Sequence, residues 1–344
     1  MYGLFWRKRK KILPLLTGAL LFMAGIAAGF VADRFISRGS TLSAYPVREK
    51  NEGKYKFIDP LLTFETAESD GGGALSSLKS EIEKTADQHI RNRDLDRASV
   101  YVRALNSGRW ISVRPEERYN PASLLKVPTM IAFFKLAESE PDILLRRVAY
   151  AGNFDDNKTH YFRPAGTIEP GISYSIEELI EAMITYSDNN ATRLLDETVH
   201  SEALKDIYAD LQIPVPDFRR PGEDFLSAKS YSYFFRVLYN ATYLRKSFSE
   251  AILKILAESD FTRGIRSPIP SDIAVSHKFG ERSSYLGDGT LQSRELHDCG
   301  VVYDPAGPYF VCIMTKGRAF EHMEKTIQDI SAAIFDEVHS PGIR

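Results

Sequence analysis

Ser123 and Lys126 have the residue types and the spacing of a nucleophile and its base. Pro121 fits the first turn of a helix, where its missing N–H costs nothing, so the pair stands at i and i+3 on one helix face. A serine hydroxyl becomes nucleophilic when a base takes its proton, and a buried lysine with a lowered pKa can be that base. The competing interpretation is a capping serine followed by a surface lysine. Ser76 and Lys79 have the same spacing, so the pattern alone is not diagnostic.

A second hydroxyl and an amide follow at Ser187 and Asn189, on either side of Asp188. These three residues lie between two segments with helical periodicity, so a turn with a capping residue is one interpretation. The other interpretation is catalytic. A hydroxyl beside the first serine can pass a proton between the lysine and a leaving group, and an amide can hold a substrate carbonyl or the lysine ammonium.

A second lysine stands at Lys278, two residues before Gly280, on a predicted strand. Lysine is common on edge strands, where it discourages aggregation. Alternatively, Lys278 faces a substrate carboxylate, and Gly280 lets the backbone approach closely. In that case the backbone N–H groups of Glu281 and Ser123 could form an oxyanion hole.

Together, Ser-x-x-Lys, Ser-Asp-Asn and Lys-x-Gly in this order resemble the motifs of the class A β-lactamases and penicillin-binding proteins. The resemblance covers about 74–340. It implies an acyl-enzyme mechanism without a cofactor, acting on a β-lactam or a peptidoglycan peptide. It also implies one role for each matching position: Ser123 as nucleophile, Lys126 as general base or relay, Ser187 as proton shuttle, Asn189 as substrate amide and Lys278 as carboxylate anchor.

Three features depart from that family pattern. Phe279 stands where the family usually has Thr or Ser, whose hydroxyl helps to bind the substrate carboxylate. Glu281 adds an acidic side chain beside a site expected to bind anions. The loop that should carry the deacylating glutamate is short, and Glu223 is the one candidate placed in it; its alternative role is that of a loop or capping carboxylate.

The flanking segments predict the elements that must position these residues. Alternating β-branched and aromatic residues around an Asn/Gly turn predict a hairpin at 98–113, and further strand signals lie near 274–279, 295–303 and 309–315. Apolar residues three and four apart predict a helix at each end of the domain. We therefore expect an α/β (α+β) fold: a mixed, mostly antiparallel sheet flanked by terminal helices, with an all-helical subdomain inserted at about 123–260.

The N-terminal region predicts a membrane anchor. Arg7 to Lys11 are all basic, and 12–32 is a run of 21 residues without a charge, long enough to span a bilayer as a helix. The basic residues place 1–11 in the cytoplasm. A cleaved signal peptide is the alternative, although its apolar region would be shorter. Gly25 and Gly29 have the spacing of a small-residue contact and favour weak pairing of two anchors.

The remaining prediction is a stalk at 33–73, of which 55–64 is apolar enough to dock on the domain, followed by a catalytic domain at 74–344. The single-pass chain would then hold its catalytic domain outside the cytoplasm.

The composition of the chain gives no support for nucleic-acid binding or for a zinc site. The net charge of −2 gives no sign of nucleic-acid binding, and the histidines show no zinc-binding spacing. Cys299 and Cys312 are equidistant from a predicted turn and would face each other in a hairpin; we expect two buried thiols rather than a strained cross-strand disulfide.

The sequence therefore predicts a membrane-anchored extracytoplasmic serine hydrolase. The alternative is a catalytically impaired protein on the same fold that binds or scaffolds the cell wall.

Overall fold

The computed structural model describes residues 42–50, 53–68, 73–198, 201–216 and 223–339. The described residues within 45–65 and 73–339 belong to one compact unit, whereas 42–44 and 66–68 belong to another. No helix among the described residues is long and apolar enough to cross a membrane. The predicted anchor at 12–32, with Gly25 and Gly29, and the basic segment 1–11 lie outside the described residues.

The strands are β1 (Leu42–Arg48), β2 (Leu61–Glu68), β3 (Leu95–Ala104), β4 (Trp110–Val113), β5 (Arg147–Ala149), β6 (Ser173–Ser175), β7 (Val275–Tyr285), β8 (Leu291–Val302) and β9 (Tyr309–Gly317). Five of them form one sheet in the order β4-β3-β9-β8-β7, and each neighbouring pair is antiparallel. The predicted hairpin and the three predicted C-terminal strands are therefore confirmed, in one sheet that joins the two ends of the domain.

The α-helices are α1 (Gly73–Arg91), α2 (Lys126–Leu136), α3 (Ile176–Thr185), α4 (Asn189–Asp196), α5 (Ser201–Asp210), α6 (Ala228–Tyr239), α7 (Lys246–Ala257) and α8 (Phe320–His339). Short 3-10 turns occur at Ala122–Leu125, Pro141–Leu145 and Asp156–Thr159. Helices α2 to α7 lie between β4 and β7 along the chain, so the predicted insertion is present. It is not all-helical as predicted, because β5 and β6 also lie within it and pair as a small antiparallel sheet.

One face of the sheet packs against the two terminal helices. Leu78 and Ile82 of α1 and Ile327 and Ile330 of α8 share an apolar core with strand residues such as Val311. All of these side chains are at most 2% exposed, and burying each contributes about 1.5–3 kcal/mol. The opposite face carries the helical insertion. Because side chains alternate along a strand, β7 directs Phe279 toward the terminal helices and Lys278 toward the insertion.

The apolar part of the predicted stalk docks as expected. Phe57 and Ile58 are buried in the core of the helical insertion. The backbone N–H groups of Lys56, Phe57 and Ile58 all donate to the carboxylate of Glu250, at 2.8–3.2 Å. Charge-assisted bonds of this kind are stronger than neutral ones, so Glu250 fixes this segment on the domain.

The prediction of two free thiols was wrong. Cys299 of β8 lies directly opposite Cys312 of β9, and the two sulfurs form a disulfide across the hairpin. The prediction that Cys299 and Cys312 face each other across a hairpin was correct, and both residues are fully buried. The backbones approach closely at this position, with the two Cα atoms 4.0 Å apart, and this close approach brings the sulfurs within bonding distance.

Candidate active site

The backbone in front of Ser123 is held in a left-handed conformation. Ala122 has a φ of 50°, which is uncommon for a residue with a Cβ and persists where the surroundings enforce it. Asn120 supplies that enforcement: its side-chain oxygen accepts from the N–H of Ala122 at 3.0 Å, and its backbone carbonyl accepts from His297 at 2.9 Å. Ser123 follows, half-buried, in the 3-10 turn that leads directly into α2.

Lys126 is the first residue of α2 and is 4% exposed. Its Nζ lies within hydrogen-bond distance of the backbone oxygen of Ser187 (2.6 Å), Ser187 Oγ (3.2 Å) and Asn189 Oδ1 (2.7 Å). Burial, followed by the nearby charge of Lys278, holds the pKa of Lys126 well below its usual range. A lysine with a lowered pKa can be neutral at physiological pH and can accept a proton.

Lys278 completes the cluster from the other side. Its Nζ donates to Ser187 Oγ at 2.9 Å and to the backbone oxygen of Phe279 at 2.9 Å. Burial lowers the pKa of Lys278 to about 7, and the carboxylates of Asp298, Asp260 and Glu281 oppose that shift. Ser187 Oγ is therefore hydrogen-bonded to two lysines at once, and a hydroxyl in this position can exchange a proton with either of them.

The hydroxyl of Ser123 stands outside this hydrogen-bonded cluster. In the described part of the chain it makes no hydrogen bond, since Lys126 Nζ is bonded to Ser187 and Asn189 instead. Catalytic hydrogen bonds are often long without substrate and tighten when substrate binds. The sequence spacing alone links Ser123 to Lys126, whereas the structure joins Lys126, Ser187, Asn189 and Lys278 directly.

Ser187 owes its position to the neighbouring Asp188. Ser187 itself has a positive φ of 56°, and Asp188 caps α4 by accepting from the N–H groups of Asn190 and Ala191. The same buried carboxylate accepts from Asn157 Nδ2 at 2.9 Å, while Asn157 Oδ1 accepts from the N–H of Asn189 at 2.8 Å. The capping interpretation is therefore confirmed, with Asp188 as the cap, and the same turn brings Ser187 and Asn189 to Lys126. A catalytic role for Ser187 and Asn189 stays a prediction. Asn157 is a positioning residue that no sequence pattern indicated.

Gly280 brings β7 close to the segment 121–124, which contains Ser123, and the close backbone approach predicted at this glycine is therefore present. A Cβ at this position would lie 2.7 Å from the backbone oxygen of Pro121 and 3.1 Å from the backbone nitrogen of Leu124. Both distances are well inside van der Waals contact with backbone atoms. The absence of a side chain at Gly280 therefore sets how closely Ser123 approaches the strand.

Phe279 and Glu281 have structural partners that the sequence did not reveal. The Phe279 ring stacks on Phe261, with centroids 4.0 Å apart, and its centroid lies 4.2 Å from Lys278 Nζ. The buried carboxylate of Glu281 accepts from the backbone N–H groups of Tyr161 and Phe162, each at 3.1 Å. The acidic charge beside the site is thus used to anchor the 160–162 loop.

The structure places two further carboxylates near the site. Glu223 is exposed, and its backbone oxygen accepts from Asn120 Nδ2 at 3.3 Å; a catalytic role for its carboxylate stays a prediction. Asp196 was not foreseen. It lies seven residues after Asn189 on α4 and lines an open hollow with that residue. Partial desolvation raises the pKa of Asp196 to about 6 even though the residue is exposed overall, and the charge of Lys126 opposes the shift.

The two buried lysines predict an unusual dependence of stability on pH. Lys278 has a pKa of about 7 in the folded chain and an ordinary value of 10.5, and the pKa of Lys126 is shifted in the same direction. Between these values the unfolded chain binds more protons, so the free energy of unfolding rises with pH. The stability gained from deprotonation of Lys278 is fully present above pH 10.5 and is lost as the pH falls to about 7.

Urea unfolding at several pH values measures this slope. Lys278→Met should flatten it, whereas the exposed Lys79→Met should leave it unchanged. An unchanged slope in Lys278→Met would mean that Lys278 keeps an ordinary pKa in the folded chain.

Comparison with known proteins agrees with this geometry. A family model described as the beta-lactamase enzyme family matches residues 77–338. A beta-lactamase from Streptomyces fradiae is 28% identical over 101 residues, which are 29% of this chain and 32% of that relative. The match thus spans about a third of the curated relative.

Solved structures of this kind share the fold. A beta-lactamase from Sphaerobacter thermophilus has a TM-score of 0.63 at 21% identity, over 75% of this chain and 96% of its own. PBP-A has a TM-score of 0.60 at 22% identity, and the match covers 76% of this chain and 96% of PBP-A. The TLA-1 extended-spectrum beta-lactamase has a TM-score of 0.64 at 15% identity, and the match covers 78% of this chain and 100% of TLA-1. One PBP-A variant is described as an acyl-enzyme complex with penicillin G.

Proposed function

Because the chain belongs to the beta-lactamase enzyme family and is therefore a serine hydrolase acting on amide bonds, we propose that it forms an acyl-enzyme on Ser123. The substrate is a β-lactam or a D-alanyl peptide of peptidoglycan. The observation that carries this proposal is Ser187 Oγ, held between Lys126 Nζ at 3.2 Å and Lys278 Nζ at 2.9 Å.

The chemistry follows from the protonation states of the two lysines. Neutral Lys126 accepts the proton of Ser123 as its Oγ attacks the carbonyl carbon and the new C–O bond forms. When the C–N bond breaks, the hydroxyl of Ser187 donates its proton to the leaving nitrogen and is reprotonated by a lysine. The N–H groups of Ser123 and Glu281 would stabilise the oxyanion, a contribution that is usually the largest single one in such reactions.

The second half of the reaction is release of the acyl group. Its rate decides whether the chain is a β-lactamase or a cell-wall peptidase or transpeptidase. Fast hydrolysis needs a base that activates water, and two candidates among the described residues are the carboxylates of Glu223 and Asp196. Glu223 is exposed, and Asp196 belongs to the open hollow beside Asn189. The geometry therefore favours slow turnover of β-lactams, and a cell-wall peptidase or transpeptidase fits equally well.

Lys278 could anchor the substrate carboxylate, but it is fully buried with the Phe279 ring beside it. This burial is the observation that favours the alternative of a catalytically impaired, wall-binding protein. Phe279→Thr should expose the ammonium and restore a hydroxyl, and a charge-assisted hydrogen bond is worth about 1.5–3 kcal/mol.

We expect this substitution to lower the apparent KM for a penicillin by about tenfold or more, measured by acylation kinetics. The matched control is Phe261→Leu, which loosens the same aromatic stack without baring Lys278. Equal KM values in Phe279→Thr and the unmodified chain would show that the ring does not restrict access to Lys278.

Residues 12–32 are proposed to anchor the chain in the cell membrane, with the catalytic domain outside the cytoplasm. The charge pattern at 7–32 supports this proposal, and the glycines at 25 and 29 would allow weak pairing of anchors. Protease digestion of intact cells should remove the domain, whereas a cytoplasmic domain would survive.

The proposed activity is tested by following a labelled penicillin bound to the full-length chain over time. We expect stoichiometric labelling followed by slow release. Rapid release would indicate an efficient β-lactamase, and no labelling together with no hydrolysis would contradict the proposed activity.

A further inference from the structure

A loop at 157–168 joins the two sides of the candidate active site. Both of its ends are held by the buried carboxylate of Asp188, to which Asn157 Nδ2 donates at 2.9 Å and the N–H of Ile168 at 2.8 Å. Two backbone N–H groups at the tip of the loop donate to the carboxylate of Glu281 on β7, each at 3.1 Å. The loop therefore bridges the turn after α3 and the strand β7.

The bridge lies where Ser187 and Lys278 meet. Ser187 directly precedes Asp188, and Lys278 stands three residues before Glu281. Lys278 Nζ donates to Ser187 Oγ at 2.9 Å, and both residues are 0% exposed. A substrate carboxylate cannot contact an ammonium group that is fully covered. The role of Lys278 as a carboxylate anchor therefore requires part of its surroundings to move.

The tip of the loop is attached through one carboxylate and one aromatic cluster. Glu281 accepts from the N–H groups of Tyr161 and Phe162, and its Oε1 lies 3.0 Å from His160 Nδ1. The Phe162 ring packs edge-to-face against three buried rings, those of Phe261, Phe279 and Phe320. Release of the Glu281 carboxylate and of the Phe162 ring would thus free most of the tip from β7.

The attached position of the tip is only partly satisfied. His160 Nε2 is buried and has no hydrogen-bond partner in the part of the chain that the structure describes, and an unsatisfied buried group destabilises the arrangement that buries it. Tyr161 is 42% exposed, and Phe162 is also partly exposed. Segments that bury little apolar surface are the ones that open locally, so the tip can leave β7 while the domain stays folded.

We propose that the loop 157–168 is a lid over Lys278 and that the Glu281 carboxylate is its latch. The ends of the loop stay on Asp188 while the tip leaves β7, and Lys278 then becomes available to a substrate carboxylate. Because substrate binds only to the open fraction, the latch lowers the apparent affinity in proportion to that fraction. The cover over Lys278 is independent of the activity proposed for Ser123, whereas its effect on substrate rests on that proposed function.

Acetylation of the Lys278 amine by N-acetoxysuccinimide, measured by mass spectrometry, tests the lid without penicillin. Burial lowers the pKa of Lys278 to about 7, so at pH 9 the loss of the Glu281 charge does not by itself deprotonate the amine. Glu281→Gln keeps the size of the side chain but offers one acceptor oxygen to two N–H groups, and Phe162→Ala keeps the charge. Each change removes a contact made only by the closed lid, so Lys278 should be labelled about tenfold faster relative to the exposed Lys79.

Two matched controls separate opening of the lid from a general loss of stability. Glu250→Gln alters a carboxylate that likewise accepts from backbone N–H groups, in the docked stalk segment. Phe248→Ala removes a partly buried ring of α7. Neither residue belongs to the lid or its latch, so both controls should leave labelling of Lys278 unchanged. Labelling at the normal rate in either Glu281→Gln or Phe162→Ala would overturn the proposal; in particular, an increase in Glu281→Gln alone would assign the effect to charge.

Acylation by penicillin G tests the effect of the lid on substrate. Both lid variants should lower the apparent KM about tenfold and leave the maximal rate within about threefold of normal, because opening changes access and not the chemical step. A change confined to the maximal rate would contradict the lid. If penicillin acylates no form of the chain, the proposed function fails, and labelling of Lys278 still decides whether the lid exists.

Discussion

Replacing Lys126 by Met is expected to slow acylation of Ser123 by a labelled penicillin about 10³–10⁴-fold, while the chain remains folded. General base catalysis contributes about 10²–10⁴-fold to rates of this kind, and loss of the shuttle partner adds to the effect. The side chain is 4% exposed and bonded to Ser187 and Asn189. Met fills the same space without a charge, so the free energy of unfolding should not fall sharply.

The sequence provides a matched control in Lys79, which stands three residues after Ser76 as Lys126 stands after Ser123. Lys79→Met changes an exposed residue of α1 and should acylate at the rate of the unmodified chain. Acylation of Lys126→Met within about threefold of the normal rate would exclude Lys126 as the base, because that change is far smaller than the expected one.

Gly280→Ala should reduce the acylation rate by about 10²-fold or more. The added Cβ would lie 2.7 Å from the backbone oxygen of Pro121 and 3.2 Å from Leu124 Cγ. Because these contacts involve the backbone that carries Ser123, the segment must move rather than a flexible side chain. A displacement of about 1 Å from reactive geometry can cost 10²-fold in rate.

Gly287→Ala is the matched control, since a Cβ there meets nothing within 4 Å. It lies in the turn after the same strand and should leave the rate unchanged. If Gly280→Ala labels as fast as Gly287→Ala, the close approach of β7 to residues 121–124 does not control the reactivity of Ser123.

That the three motifs meet at one site was predicted from their resemblance to the β-lactamase pattern. Local spacing puts Ser123 and Lys126 on one helix face, but it does not reveal that Ser187 and Lys278 contact them. Gly280 was predicted to allow close approach, and the contact with Pro121 confirms it. The hairpin was predictable from its alternating β-branched and aromatic residues around an Asn/Gly turn, whereas β9 is a continuous apolar run that is buried on both faces.

The features that the sequence did not reveal depend on contacts between distant segments. Phe279 stacks on Phe261, and Glu281 anchors the loop at 160–162, in both cases through packing that no spacing rule encodes. Asn157 reaches Asp188 from 31 residues away. The Cys299–Cys312 disulfide was missed because expected cross-strand strain was given too much weight against a correctly predicted register.

The most direct test of the acyl-enzyme mechanism is the site of the covalent adduct. The full-length chain is incubated with penicillin G, quenched in acid and digested with trypsin, and the peptides are analysed by mass spectrometry. We predict an adduct on Ser123, in the peptide that spans residues 119–126, that is absent from Ser123→Ala and present in Ser76→Ala. An adduct on Ser76 or Ser187, or hydrolysis of penicillin by Ser123→Ala at the normal rate, would contradict the mechanism.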